Sequence, residues 1–65
     1  MKDSIEKVYR EQLERYKTKE EKIQYLKDCE FNIQMVDRWT NGDRISYEVV
    51  TQLLHELCDN GSEEN

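Results

Sequence analysis

The chain has 65 residues, which is enough for one small domain. Charged residues make up 38% of it and hydrophobic residues 35%, so a core has to come from narrow apolar stripes on amphipathic elements. There is no apolar N-terminal run and no long apolar segment, which predicts a cytoplasmic protein without a signal peptide or a membrane span.

The residue types that carry chemistry are sparse. Cys29, Cys58 and His55 are the only soft metal ligands, one short of a closed zinc site. The sequence has no second histidine and no glycine-rich phosphate loop. We therefore expect no metal, no cofactor and no enzymatic activity, and a protein that binds another macromolecule.

The net charge of −5 is unevenly distributed. Residues 45–65 contain five acidic residues and no Lys or Arg, so the whole acidic excess lies in the last third. Charge therefore has to be judged for each face of the molecule.

The first predicted helix carries its apolar residues at spacings of three and four, which is one helical face. These residues are Ile5, Val8, Tyr9, Leu13 and Tyr16. Asp3 or Ser4 is placed to cap its start.

A second helix is predicted to begin at a capping box formed by Thr18 and Glu21. Its inward face would hold Ile23, Leu26 and Cys29, which share one side of a helix.

The pattern then slips, because Phe31 does not continue the stripe and Asn32 is a good cap residue. We predict a break near Glu30 to Asn32 and a third helix over 33–40, with Val36 and Trp39 facing inward. The alternative is one unbroken helix from Lys19 to Trp39, since neither Gly nor Pro interrupts it.

The segment 41–44, Asn-Gly-Asp-Arg, predicts a turn. Ser46 would cap a fourth helix, with Ile45 stapled onto Val50. Its apolar stripe is wider than the others and comprises Val49, Val50, Leu53, Leu54, Leu57 and Cys58. The pair Asn60-Gly61 is predicted to end this fourth helix.

The expected architecture is all-α, with four short helices in one domain over 1–60 and a flexible tail over 61–65.

The stretch 25–42, YLKDCEFNIQMVDRWTNG, resembles the helix-turn-helix of the Cro-like phage repressor family, and the likeness covers roughly residues 19–58. The resemblance implies a transcription regulator, from a phage or other mobile element, that binds duplex DNA as a homodimer with its third helix in the major groove. It also implies DNA contacts, with Gln34 reading adenine and Arg38 reading guanine or holding a phosphate. The implied DNA-binding residues are Asn32, Gln34, Met35, Arg38, Asn41, Arg44, Thr18 and Lys19.

Each of these assignments has an alternative. Asn32 would equally serve as a helix cap, and Gln34 and Arg38 as solvated surface. The wide stripe of the fourth helix would supply a homodimer interface of Tyr47, Val49, Leu53 and Leu57, or it would serve a single compact core. The alternative function is an acidic helical interaction protein, such as an inhibitor, anti-repressor or adaptor, that binds a protein partner and not DNA.

Overall fold

A computed structural model describes the backbone of residues 2–63 and the side chains as far as residue 58. This part of the chain forms three helices and no strand: α1 (Lys2–Leu13), α2 (Lys19–Gln34) and α3 (Asn41–Glu63). The predicted all-α class is confirmed. The predicted number of four helices is wrong, because the two helices expected between 19 and 40 are replaced by one.

Helix α1 buries one edge of its predicted stripe. Leu13 is buried, Ile5 and Tyr9 pack against the core, and Val8 lies at the margin with 54% of its surface exposed. Tyr16 comes after the end of α1, where its ring lies 5.4 Å from that of Tyr25 on α2. The stripe thus directs α1 onto the other two helices as its spacing predicts.

Helix α2 begins at the predicted capping box. The Glu21 N–H donates to the Thr18 hydroxyl oxygen at 3.1 Å, and the Glu21 carboxylate accepts from the Thr18 N–H at 3.3 Å. Two N–H groups that have no partner inside the helix are satisfied in this way, which fixes where the helix starts. This prediction is confirmed.

Helix α2 does not break at Glu30 to Asn32. It continues to Gln34 because its inward stripe continues too, from Leu26 through Cys29 to Ile33, at helical spacing. The separate helix predicted over 33–40 is therefore wrong. The alternative of an unbroken helix as far as Trp39 is also wrong, since the helix ends five residues earlier.

Helix α3 begins at Asn41, so residues 41–44 are its first turn and not a loop. Thr40 caps it: its hydroxyl accepts from the Asp43 N–H at 3.1 Å, and its N–H donates to the Asp43 carboxylate at 3.0 Å. With this reciprocal pair in place, the helix has no need of a start at Ser46. Ser46 and Ile45 lie inside the helix, and the predictions of a cap and a staple there are wrong.

Helix α3 is the central element, because both α1 and α2 pack against it. The buried core consists of Leu13, Leu26, Val49, Val50 and Leu53.

The predicted C-terminal stop is also wrong. Helix α3 passes the Asn60-Gly61 pair and ends at Glu63. Residues 61–63 of the predicted flexible tail therefore belong to α3. Its last two residues, 64 and 65, lie outside the described residues.

Candidate functional site

The residues predicted to contact DNA do not lie on one recognition helix. Asn32 and Gln34 belong to the last turn of α2, Met35 is its C-terminal cap, and Arg38 lies in the loop before α3. The helix over 33–40 that the repressor resemblance would place in the major groove is therefore not formed, and these residues are not presented together on one recognition helix.

The remaining predicted DNA contacts are dispersed. Asn41 and Arg44 belong to the first turn of α3, whereas Thr18 and Lys19 begin α2. At a rise of about 1.5 Å per residue, these two lie about 20 Å along the helix axis from Asn32.

The predicted dimer interface on α3 is largely internal. Val49 is 1% exposed and Leu53 3%, while Leu57 is partly buried against the core. The apolar stripe of α3 is wide because this helix packs against both α1 and α2. The alternative that these residues serve a single core is the better account of Val49 and Leu53, and a dimer interface built on them is wrong. Tyr47 alone of the four lies beside the exposed apolar surface described next.

The main apolar surface is at the corner between α2 and α3. Among the described side chains, four of the five large hydrophobic residues that are exposed lie within residues 31–39. They are Phe31 (61% exposed), Met35 (67%), Val36 (41%) and Trp39 (40%), and we call them the corner patch. The predicted inward positions of Val36 and Trp39 are wrong, because Ile33 takes the place facing the core.

Side-chain contacts fix the shape of this corner. The Trp39 indole N–H donates to the Ile33 carbonyl oxygen at 2.9 Å and so satisfies a carbonyl at the end of α2. The Trp39 ring lies 5.0 Å from the ring of Tyr47 on α3. The Gln34 amide donates to the Tyr47 hydroxyl at 3.4 Å. The loop is thereby held against both helices, and the patch has a defined geometry.

The corner patch has the size and composition of the centre of a protein interface. Its exposed fractions add up to about two whole large side chains, on the order of 400 Å² at roughly 150–250 Å² each. This lies within the range of the largest apolar patch of a typical monomer, which is often functional. Aromatic residues and Met are enriched at the centres of interfaces, and Trp is enriched among the residues that dominate binding energy.

A second apolar feature is a groove of about 490 Å³ between α1 and α2. None of its lining residues is charged: Ser4, Ile5, Val8, Tyr9, Gln12, Tyr25, Cys29 and Ser46. Burial raises the pKa of Tyr25 to about 12, and a hydrogen bond with Cys29 adds to the shift. Burial also raises the pKa of the Cys29 thiol, which keeps it protonated and a poor nucleophile at neutral pH.

Part of the acidity of α3 is compensated within the chain. Arg10 of α1 lies 3.3 Å from the Glu56 carboxylate and 2.7 Å from Glu6. Of the acidic side chains described on α3, Asp43 is engaged in the cap and Glu48 is exposed. Within the described part of the chain, no group of three or more potential ligands is placed to hold a metal ion.

One signal in the sequence could have located the patch. Phe31 falls off the stripe of Leu26, Cys29 and Ile33, and a residue off the stripe of a continuous helix faces outward. The predicted break concealed this, because a change of helix axis at Asn32 would have turned Phe31 inward.

No family model, curated protein or solved structure matches this chain. In the part of the chain described, no helix combines the length and the apolar character that crossing a membrane requires. The features that bear on function are therefore those of the molecule's own surface.

Proposed function

We propose that this chain is a small helical interaction protein that binds a protein partner through the corner patch. The observation that supports this most directly is the clustering of Phe31, Met35, Val36 and Trp39 on one exposed corner. Removing about 400 Å² of apolar surface from water is a substantial driving force at roughly 25 cal/mol per Å², although association also costs entropy.

The shape of the patch favours insertion into a groove. Phe31 and Met35 are one helical turn apart on the outer side of α2, and Trp39 extends the apolar surface into the loop. Such a convex ridge suits the mode in which a helix places apolar anchors into a hydrophobic groove of its partner.

Duplex DNA remains a prediction that no comparison tests, and less supports it. DNA binders neutralise several phosphates with Lys and Arg. At the corner, Arg38 and Arg44 are accompanied by Asp37, Asp43 and Glu48. The two basic residues are thus outnumbered by acidic ones in this segment, which is less favourable for binding phosphates.

The experiment compares matched exposed substitutions. Phe31→Gln with Met35→Gln removes apolar surface from the patch, and Val8→Gln removes it elsewhere. Glutamine is a good helix former, so all variants should fold. We expect a partner captured by the wild type in extracts of the source organism, and then purified, to bind the Val8→Gln variant equally and the patch variant at least tenfold more weakly.

Two results would count against the proposal. One is a partner that binds the patch variant as well as the wild type. The other is duplex DNA binding at low salt that weakens steeply with added salt and is abolished by Arg38→Glu, which would restore the regulator interpretation.

A further inference from the structure

The outer side of α2 carries a continuous ridge of exposed residues that extends beyond the corner patch. Its members are Glu20, Gln24, Asp28, Phe31 and Met35, all of them exposed. Successive spacings of four, four, three and four place them along one line on a helix, on the side opposite the buried Leu26. The ridge is acidic and polar in its N-terminal half and apolar in its C-terminal half.

The basic residues in the middle of α2 lie to the sides of this ridge. Lys22 lines a cleft with Leu13, Leu53 and Leu57, which is on the core side of the helix. Lys27 lines a different groove, between α2 and α3, that includes Leu54.

The carboxylates of the ridge thus have no Lys or Arg paired with them. The ion pairs among the described side chains are those of Arg10. Asp28 accepts only from the neutral Gln24 amide, at 3.0 Å.

We infer that the whole ridge of α2 is the recognition element and that the partner's groove is apolar where it receives Phe31 and Met35 and bordered by Lys or Arg where it faces Glu20 and Asp28. This inference rests on the proposed function and specifies the chemistry of the partner. Complementary charge at the rim of an interface sets partner choice and association rate, while the apolar anchors supply most of the affinity.

The area available distinguishes such a partner from a second copy of the chain. Two corner patches facing each other would bury on the order of 800 Å² in total, which is the upper limit of ordinary crystal contacts and half of a standard interface. A groove that encloses α2 along its length of about 24 Å also covers the polar half of the ridge. The second arrangement buries more surface than the corner patch alone and so comes closer to the area of a standard interface.

Because the natural partner is unidentified, the probe is a phage-displayed library of folded helix-hairpin peptides, in which the groove between the two helices is randomised, selected on the immobilised 65-residue chain. We expect the selected peptides to combine aromatic or aliphatic residues with an excess of Lys and Arg. Asp28→Lys should weaken them about two- to fivefold, with a marked salt dependence. Phe31→Gln or Met35→Gln should weaken them roughly thirtyfold. Matched controls on α1, Glu11→Lys and Val8→Gln, should leave binding unchanged.

The possible results separate the inference from the proposed function. Peptides that need Phe31 and Met35 but carry no basic excess, and that ignore Asp28→Lys, overturn the inference and leave the proposed function standing. A library that yields no peptide dependent on Phe31 or Met35 counts against both. Sedimentation that reveals a dimer, dissociated by Met35→Gln, assigns the patch to a second copy and also overturns the inference.

Discussion

The start of α2 and the corner between α2 and α3 differ in how closely their local sequence signals match the observed helix starts. At the start of α2, one cap candidate, Thr18, is followed by one apolar stripe, and the observed helix begins where both indicate. At the corner, Asn32, Thr40 and Ser46 all had the chemistry of a cap, and the structure uses Thr40 alone. A local signal determines structure where it has no competitor; where several compete, packing selects among them.

The largest expected effect contrasts Leu26, which is fully buried, with Phe31, which is 61% exposed. Leu26→Ala should reduce the free energy of unfolding by about 2–5 kcal/mol, because it leaves a cavity in a core of few residues. Phe31→Ala should change it by less than about 0.5 kcal/mol. Urea denaturation followed by circular dichroism measures both. Equal losses of unfolding free energy in the two variants would mean that Phe31 is buried and that the helix axis changes at Asn32.

The next effect concerns the caps. Thr18→Ala and Thr40→Ala should each cost about 1 kcal/mol, since each leaves a helical N–H without its acceptor. Ser46→Ala should change stability by no more than about 0.5 kcal/mol, because Ser46 lies inside α3, where Ala has the higher helix propensity. Thermal unfolding of the three variants provides the comparison. A greater loss at Ser46 than at Thr40 would place the start of the helix at the predicted position after all.

A third effect tests the contacts that hold the corner. Trp39→Phe keeps an aromatic ring beside Tyr47 but removes the N–H that donates to the Ile33 carbonyl. We expect a loss of about 0.5–1.5 kcal/mol. Tyr47→Phe removes only the acceptor of the longer Gln34 contact and should cost less. If chemical denaturation ranks the two variants the other way, the indole hydrogen bond is not what positions the loop.

The smallest change in stability is expected at high pH and arises from Tyr25, which lies in the first half of α2. The pKa of Tyr25 is raised from 10.0 to about 12 by burial, so the folded chain retains a proton that the unfolded chain loses. The contribution of Tyr25 to stability should therefore be constant below pH 10 and fall as the pH rises towards 12. The partial exposure of the ring keeps the loss modest.

Tyr25→Phe is the control for that measurement. It should flatten the decline in stability and remove the tyrosinate that forms at the highest pH in an ultraviolet absorbance titration. A decline that persists in this variant would locate its origin in another group, such as Tyr9, whose pKa burial also raises.

The repressor resemblance implies a feature that the structure does not have. It required a change of axis at Asn32, and the sequence offered Asn32 as a cap but nothing that stops a helix, such as Gly or Pro. Ile33 continues the stripe of Leu26 and Cys29 and packs against the core. A uniform helical spacing was thus a better guide to this segment than the spacing of a family motif.

The sequence alone was sufficient for the all-α class, the start of α2, the inward positions of Leu26 and Cys29, and the apolar stripe of α3 as far as Leu57, beyond which the predicted Cys58 is exposed. These features follow from spacing and from hydrogen bonds between residues three or four positions apart, which are present in any compact arrangement of the chain. Only the tertiary structure decided that α3 lies between the other two helices, that Val49 and Leu53 are therefore internal, and that Phe31 and Trp39 are exposed. Those outcomes depend on which helices touch, a property of contacts between distant residues that no local pattern contains.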